Sequence, residues 1–263
     1  LRVRLPAVQR GVELFAYERV HHALAQAVLP GVERDLERLF VLLDPLLAEA
    51  LDQRCLLRDL SVLVGDADDP FEDSRVLVGP GIGLDAAAIR VGGTLLVAKT
   101  DPITFVADEI GTYALLINAN DLATMGATPK WFLATVLLPV RSTTSSSITR
   151  LFRQLHSTCH RLEVSLCGGH SEITDAVTRP VVVGCLLGEC APNRIVTAAD
   201  AEVGDGVVLT KGLAIEAVSI LARECADEIR RRHGQQFLAR CRRYLSKPGL
   251  SILREARIAL ASE

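Results

Sequence analysis

The chain has 263 residues, of which 49% are apolar and 4% aromatic, and its formal net charge is −3. This length can bury a sizeable aliphatic core in one large or two medium domains. The small negative charge excludes the basic field that a nucleic-acid or anionic-membrane partner requires, and no apolar run is long enough to cross a bilayer. We therefore expect a globular cytoplasmic protein with neither kind of partner.

The seven cysteines include no Cys-x-x-Cys pair. Their odd number and irregular spacing argue against a disulfide framework and against a zinc site. They are typical of buried, reduced thiols in a cytosolic protein.

Residues 1–70 are predicted to form a helical N-terminal extension. Two patchy apolar helix patterns carry no chemical motif, so we expect a packing or dimer-contact role. The acidic residues 65–73 (GDADDPFED) lack the alternating oxygen ligands of a calcium loop, which favours a solvated linker at the first domain boundary.

The next part of the chain alternates strands and helices. Residues 76–78 predict a short strand, and residues 86–91 predict a second strand of small side chains. The turn between them contains Gly79, Gly81 and Gly83, and its backbone could approach phosphate oxygens closely. This turn is neither a Walker loop nor a dinucleotide fingerprint, and a glycine-rich hairpin explains it equally well.

Two aspartates stand near the ends of the next elements. Residues 94–98 are apolar and β-prone, and Pro102 is expected to stop pairing, which places Asp101 at the tip of the strand. A helix is predicted within residues 108–126, with Asp121 in line with its apolar stripe. A carboxylate there either turns to solvent near the helix end or is paired, hydrogen-bonded or bound to a cation.

Asp85, which follows the glycine turn, could meet Asp101 and Asp121 at one edge of a sheet. Mg²⁺ is often held by a few carboxylates while nucleotide phosphates and water fill its other positions. The three aspartates therefore predict a magnesium site beside a phosphate-binding turn. Lys99 would neutralise phosphate charge there, or else point to solvent.

Helices and strands continue to alternate further along. Residues 142–149 are predicted to form a serine- and threonine-rich connection to a helix that ends near Arg161. The apolar residues 181–187 predict a strand covered on both faces. Residues 207–210 predict another strand, and residues 214–231 a helix.

Between these elements, a strand at residues 164–167 is predicted to enter a turn at residues 168–172. The turn would present His170 and Glu172 beside flexible glycine backbone. A loop histidine without a role is the alternative. Because no second histidine lies at a metal-binding spacing, zinc is not expected.

Several strings resemble one enzyme superfamily. They are Lys99-Thr100-Asp101-Pro102, Asn120-Asp121-Leu122-Ala123-Thr124-Met125-Gly126-Ala127-x-Pro129 and Gly168-Gly169-His170-Ser171-Glu172. They resemble the PurM-like superfamily of aminoimidazole ribonucleotide (AIR) synthase, HypE-type hydrogenase maturation protein, selenophosphate synthetase and thiamine-monophosphate kinase. The motifs of this chain are most similar to those of the HypE-like "AIR synthase related protein" branch. The glycine turn that ends in Asp85 also matches the superfamily pattern.

The resemblance implies an α/β (α+β) fold with two domains after the extension. Residues 71–200 would form a PurM-like ATP-binding and dimerisation domain with a mixed sheet and flanking helices. Residues 201–263 would form the start of a second α/β domain. The resemblance further implies a homodimer with ATP and Mg²⁺ in a cleft near the dimer interface.

The implied activity is phosphoryl transfer from ATP to a small molecule or carboxamide, which the sequence does not identify. Carried over by position, the magnesium ligands would be Asp85, Asp101 and Asp121, and the catalytic residues His170 and Glu172. The nucleotide contacts would be Gly79, Gly81, Gly83, Lys99, Thr100, Asn120, Gly168, Gly169 and Lys211.

Two departures from the superfamily pattern suggest an alternative. Members commonly carry Asp or Glu where this chain has His170, and the second domain reaches about half of its expected length. A nucleotide-binding or maturation and assembly module without turnover would account for both.

Overall fold

The structure is a computed structural model that describes residues 73–80, 84–202 and 204–262. The predictions for residues 1–70, for most of the acidic linker, and for Gly81 and Gly83 lie outside these residues. Apart from Leu209–Leu213, which group with another unit of the chain, the described residues belong to one compact unit. The predicted division at residue 200 stays a prediction.

The described residues of this unit contain six strands. The strands are β1 (Val76–Val78), β2 (Ala87–Val91), β3 (Thr94–Ile103), β4 (Thr128–Pro139), β5 (Ser165–Thr174) and β6 (Val181–Cys190). They form one sheet in the order β1-β2-β3-β6-β4-β5. Only β4 and β5 run parallel; the other neighbours are antiparallel.

Six α-helices accompany the sheet in the described residues. They are α1 (Ile110–Thr124), α2 (Ser145–Leu162), α3 (Ile215–Glu224), α4 (Ala226–His233), α5 (Gln235–Arg242) and α6 (Leu253–Ala261), with 3-10 turns at Ala198–Asp200 and Arg243–Leu245. The predicted mixed α/β fold with flanking helices is confirmed. Within the described part of the chain, every helix is too short or too polar to cross a bilayer.

Helix α1 packs on one face of the sheet and is buried along most of its length. Small residues on β6 allow this close packing. A Cβ atom added to Gly184 would lie 2.6 Å from Asn118 Nδ2, and one added to Gly188 would lie 2.7 Å from Leu122 Cδ2. Alternation along β3 places Leu95 and the next odd-numbered residues on this helix-covered face.

The prediction that Pro102 stops pairing is wrong. Strand β3 continues to Ile103, and Pro102 lies opposite Val183 of β6. The pairing of β2 with β3 extends only to Ala98, so β3 has a strand neighbour on one side there. A proline in such a half-paired position need not remove a ladder hydrogen bond. Asp101 therefore lies within the strand, two residues before its end.

Residues 168–172 form a strand rather than the predicted turn. They continue β5 and pair with β4, where Gly168 lies opposite Leu133 and Glu172 opposite Leu137. Gly168 and Gly169 have φ angles of 145° and 142°, so the glycine pair provides an unusual strand conformation.

Three other boundaries also differ from the predictions. Helix α2 begins inside the predicted connection because Thr144 forms a capping box with Ser147. The predicted helix at residues 214–231 is divided at Cys225 into α3 and α4. Residues 207–210 form no strand, and Val207 is fully exposed. A short apolar run forms a strand only where a neighbouring strand can pair with its backbone N–H and C=O groups.

Candidate carboxylate site

Lys99 and Asp101 lie on the face of β3 that α1 covers, because they continue the alternation of Leu95 and Val97. Asp121 lies in the last turn of α1, above this part of the strand. The two elements meet in an ion pair, with Lys99 Nζ 3.0 Å from Asp121 Oδ2. The Lys99 side chain is only 11% exposed, so the ion pair with Asp121 offsets the loss of water around its ammonium group.

Asp85 approaches the same lysine from the loop before β2. Its Oδ1 atom is 4.0 Å from Lys99 Nζ, while most of its side chain remains exposed. A cavity of about 280 Å³ opens beside this group, which we call the Asp121 cavity. Its lining residues are Leu84, Asp85, Asp121, Thr124, Met125, Val196, Thr197 and Ala198. Two of the three predicted magnesium ligands thus face one cavity.

Burial and repulsion by neighbouring carboxylates raise the pKa values of Asp101 and Asp121. Partial burial is the main cause of the raised pKa of Asp121; Lys99 opposes it and Asp85 adds to it. Burial likewise raises the pKa of Asp101, where Lys99 again opposes the shift while Asp121 and Asp85 increase it. The three aspartates therefore interact electrostatically around Lys99.

Glu216 is a fourth acidic residue of this region that sequence analysis missed. It lies in the first turn of α3. Loss of solvation of its carboxyl group raises its pKa, and the charges of Asp121 and Asp101 raise it further. A glutamate in a first helical turn is ordinary, so no local signal distinguished it.

The donor set suits magnesium bound together with a nucleotide. Carboxylate oxygens are the hard ligands that Mg²⁺ prefers, and Lys99 shows that they already gather around a positive charge. Among the described residues, however, no three acidic, histidine or cysteine side chains lie close enough to enclose a metal ion. The ligand assignment of Asp85, Asp101 and Asp121 stays a prediction, and phosphates and water would have to complete the shell.

Asn120 and Thr100 are motif residues next to Asp121 and Asp101 in the sequence, but their side chains are directed elsewhere. The side chain of Asn120 donates from Nδ2 to the carbonyl of Leu250 at 3.0 Å and accepts from the N–H of Ile252 at 2.9 Å. It thereby fastens α1 to the chain just before α6. Thr100 is exposed and points to the opposite face of β3 from Lys99 and Asp101. Their predicted nucleotide contacts stay predictions.

His170 and Glu172 lie away from the carboxylates. They are on β5, three strand positions from β3, which corresponds to about 14 Å at the usual strand spacing. Their side chains are 69% and 52% exposed, and His170 Nε2 is 4.0 Å from Glu172 Oε2. Within one chain, the structure does not bring the predicted catalytic pair to the predicted metal ligands.

The remaining predicted nucleotide contacts are spread over three regions. Gly79 lies just after β1, at the start of the turn whose other glycines are outside the described residues. Gly168 and Gly169 belong to β5. Lys211 has a φ of 62° and belongs to Leu209–Leu213, the segment that groups with another unit. These contacts too stay predictions.

Residues 83–190 match the family model of the AIR synthase related protein, N-terminal domain. This part of the chain is thus similar to AIR synthase related N-terminal domains. It contains β2 to β6 with α1 and α2, and therefore Asp85, Asp101 and Asp121. The PurM-like resemblance inferred from the motifs is confirmed.

Known proteins are similar to part of this chain. A selenide, water dikinase of Rhizobium meliloti is 29% identical over 161 residues, which are 60% of this chain and 45% of that protein. A putative hydrogenase expression/formation protein of Methanocaldococcus jannaschii is 25% identical over 160 residues, 57% of this chain and 48% of that protein. The chain spans about half the length of these curated relatives.

A solved structure shares the fold. The structure of AaThiL complexed with AMPPCP and TMP has a TM-score of 0.56 and 18% identity, and the match covers 66% of this chain and 56% of that one. At this identity the likeness concerns the fold alone.

Proposed function

We propose that the protein is an ATP- and Mg²⁺-dependent enzyme that transfers a phosphoryl group from ATP to a small-molecule or carboxamide acceptor. The observation that carries this proposal is the group of aspartates around Lys99, beside the Asp121 cavity and within an AIR synthase related domain. The names of the relatives support it, since one is a dikinase and AaThiL was crystallised with the nucleotide AMPPCP.

In this proposal Asp85, Asp101 and Asp121 hold the magnesium ion. Bound Mg²⁺ supplies positive charge that stabilises the transferring phosphoryl group. Lys99 offers a second positive charge beside the carboxylates, and Gly79 begins the turn that would approach the phosphates. Catalysis would rest on positioning and charge neutralisation, which this arrangement can provide.

A homodimer is part of the same proposal. The face of the sheet away from α1 carries apolar, partly exposed side chains, including Leu133 and Leu137 of β4 and Val183 of β6. A second sheet packed on this face would bury them. The catalytic roles of His170 and Glu172, the nucleotide contacts and the identity of the acceptor belong to the proposal as well.

Calorimetric titration of Asp121→Asn with Mg·ATP tests the proposed function. The substitution keeps the shape of the side chain but removes a negative charge, so we expect at least about a tenfold loss of affinity for Mg·ATP with the fold retained. The exposed Asp175 provides a matched control, and Asp175→Asn should bind as the unaltered protein does. Undiminished affinity in Asp121→Asn would refute the assignment.

A nucleotide-binding or assembly module without turnover is the second candidate. It is favoured by the distance of His170 and Glu172 from the carboxylates, which leaves no predicted acid or base beside the aspartates in a single chain. Formation of ADP by the purified protein, absent from Asp101→Ala, would exclude this candidate. Mg·ATP binding without ADP formation, with or without added acceptors, would favour it.

A further inference from the structure

The ammonium group of Lys99 occupies the middle of the carboxylate site. It lies 3.0 Å from Asp121 Oδ2 and 4.0 Å from Asp85 Oδ1, and its side chain is almost entirely buried. An ammonium group in such a position requires anionic partners, and closely spaced carboxylates require a cation. Lys99 therefore offsets part of the negative charge of the aspartates when no other ion is bound.

The strand keeps Lys99 close to the cluster. Lys99 and Asp101 are two residues apart on β3 and share the face beneath α1, and β3 is paired with β6 along this stretch. A divalent cation that binds the same carboxylates must displace the ammonium group or lie near it. Because like charges a few ångströms apart repel strongly in a partly buried site, Lys99 opposes binding of the metal alone.

A nucleotide changes this balance because its phosphates add several negative charges. Both the metal and the ammonium group then have partners, and the repulsion between them is offset. Binding of each ligand therefore improves binding of the other, which is a coupling free energy between the two.

We propose that Lys99 is a built-in counter-ion that excludes a divalent metal from Asp85 and Asp121 until a nucleotide arrives, so that metal and nucleotide bind as a pair. The nucleotide half of this statement rests on the proposed function. Competition between Lys99 and the metal rests on the observed ion pairs and on the metal-ligand roles proposed for Asp85 and Asp121, but it requires neither ATP binding nor phosphoryl transfer.

Titration of the full chain with Mn²⁺ alone, followed by calorimetry, tests the competition. Lys99→Met removes the ammonium group and keeps an unbranched side chain, so we expect the variant to bind Mn²⁺ at least about tenfold more tightly than the unaltered protein. The exposed Lys130 on β4 is the matched control, and Lys130→Met should leave Mn²⁺ affinity unchanged. Equal or weaker Mn²⁺ binding by Lys99→Met would overturn the proposal.

Repeating the titration with AMPPCP present tests the coupling. AMPPCP should improve Mn²⁺ affinity by a larger factor in the unaltered protein than in Lys99→Met. If AMPPCP improved Mn²⁺ affinity by the same factor in both proteins, the proposed coupling would be wrong. If the unaltered protein binds no AMPPCP, the proposed function and the coupling both fail, whereas tighter binding of Mn²⁺ alone by Lys99→Met would still establish the competition.

Lys99→Gln keeps the proposal testable if Lys99→Met does not fold. Its thermal unfolding is compared in EDTA and in Mn²⁺. We expect Mn²⁺ to raise the unfolding temperature of Lys99→Gln more than that of the unaltered protein, because the metal replaces the missing charge. An equal rise in both proteins would contradict the competition.

Discussion

The carboxylate site and strand β5 both contain residues of the superfamily motifs, but these residues have different structural roles in the two places. At the site, Lys99 and Asp121 are largely covered and interact with each other across two elements. On β5 every residue from 167 to 173 is exposed, and among the described strands only β4 lies beside it. The site depends on where side chains meet, whereas β5 depends on a backbone conformation that Gly168 and Gly169 provide. A motif can thus mark chemistry in one place and backbone geometry in another.

The largest effect is expected from Gly169→Ala, which tests the backbone requirement of β5. An added Cβ would overlap the carbonyl oxygen of Ala134 on β4, in a conformation with φ of 142°. We expect a loss of more than about 3 kcal/mol in the free energy of unfolding, measured by urea denaturation.

Gly168→Ala is the matched control for this prediction. Gly168 has a similar φ of 145°, but a Cβ atom there would meet no atom within 4 Å. Its cost should come from backbone strain alone, about 1 kcal/mol. If the two variants lost the same free energy of unfolding, overlap of the added Cβ with β4 would not be the cause of the loss in Gly169→Ala.

Asp101→Asn tests the electrostatics of the site and should have a smaller effect. Burial raises the pKa of Asp101 in the folded protein, so the fold binds its proton more tightly than the unfolded chain does. The stability linked to this proton is fully present below the unfolded value of about 3.9 and is lost as the pH rises through the raised value. Because asparagine does not titrate, Asp101→Asn does not undergo this loss of stability at neutral pH.

We therefore expect Asp101→Asn to stabilise the ligand-free protein at neutral pH by less than about 1 kcal/mol, since the carboxyl is partly solvated. The gain should shrink as the pH is lowered toward about 4. Urea unfolding midpoints of Asp101→Asn and of the unaltered protein, measured between neutral pH and about pH 4, would show this change. A gain that grew in acid would mean that Lys99 outweighs burial at Asp101.

The smallest change in stability is expected from His170→Ala. The side chain is exposed and its contact with Glu172 spans 4.0 Å, so the free energy of unfolding should change by less than about 0.5 kcal/mol. If His170 is catalytic, ADP formation should fall while Mg·ATP affinity is kept, because β5 is remote from the aspartates. Unchanged ADP formation would remove His170 from the catalytic residues.

Local patterns predicted much of the fold because their signals lie within short stretches. The apolar run ending at Ala98 located β3, although not its end at Ile103, and the apolar residues of α1 with the glycine after them located that helix. The glycines at 168 and 169 misled because parallel pairing with β4 decides their conformation. Tertiary context overrides turn chemistry there.

The side-chain partners at the site were less predictable. The motifs suggested that Lys99 and the aspartates share a site, but not that Lys99 pairs with Asp121, since that ion pair depends on how α1 crosses the sheet. Glu216 comes from a helix nearly a hundred positions later. Such contacts depend on the completed fold, which a local pattern cannot encode.

The Asn120 side chain bears on how the protein is made. It receives the N–H of Ile252 across 132 positions of the sequence, immediately beside Asp121. During synthesis, the sheet and α1 can leave the ribosome long before Ile252 does, so Asn120 initially has neither of its native backbone partners. The carboxylate site therefore receives this tether only after the residues of the sheet and of α1 have been synthesised.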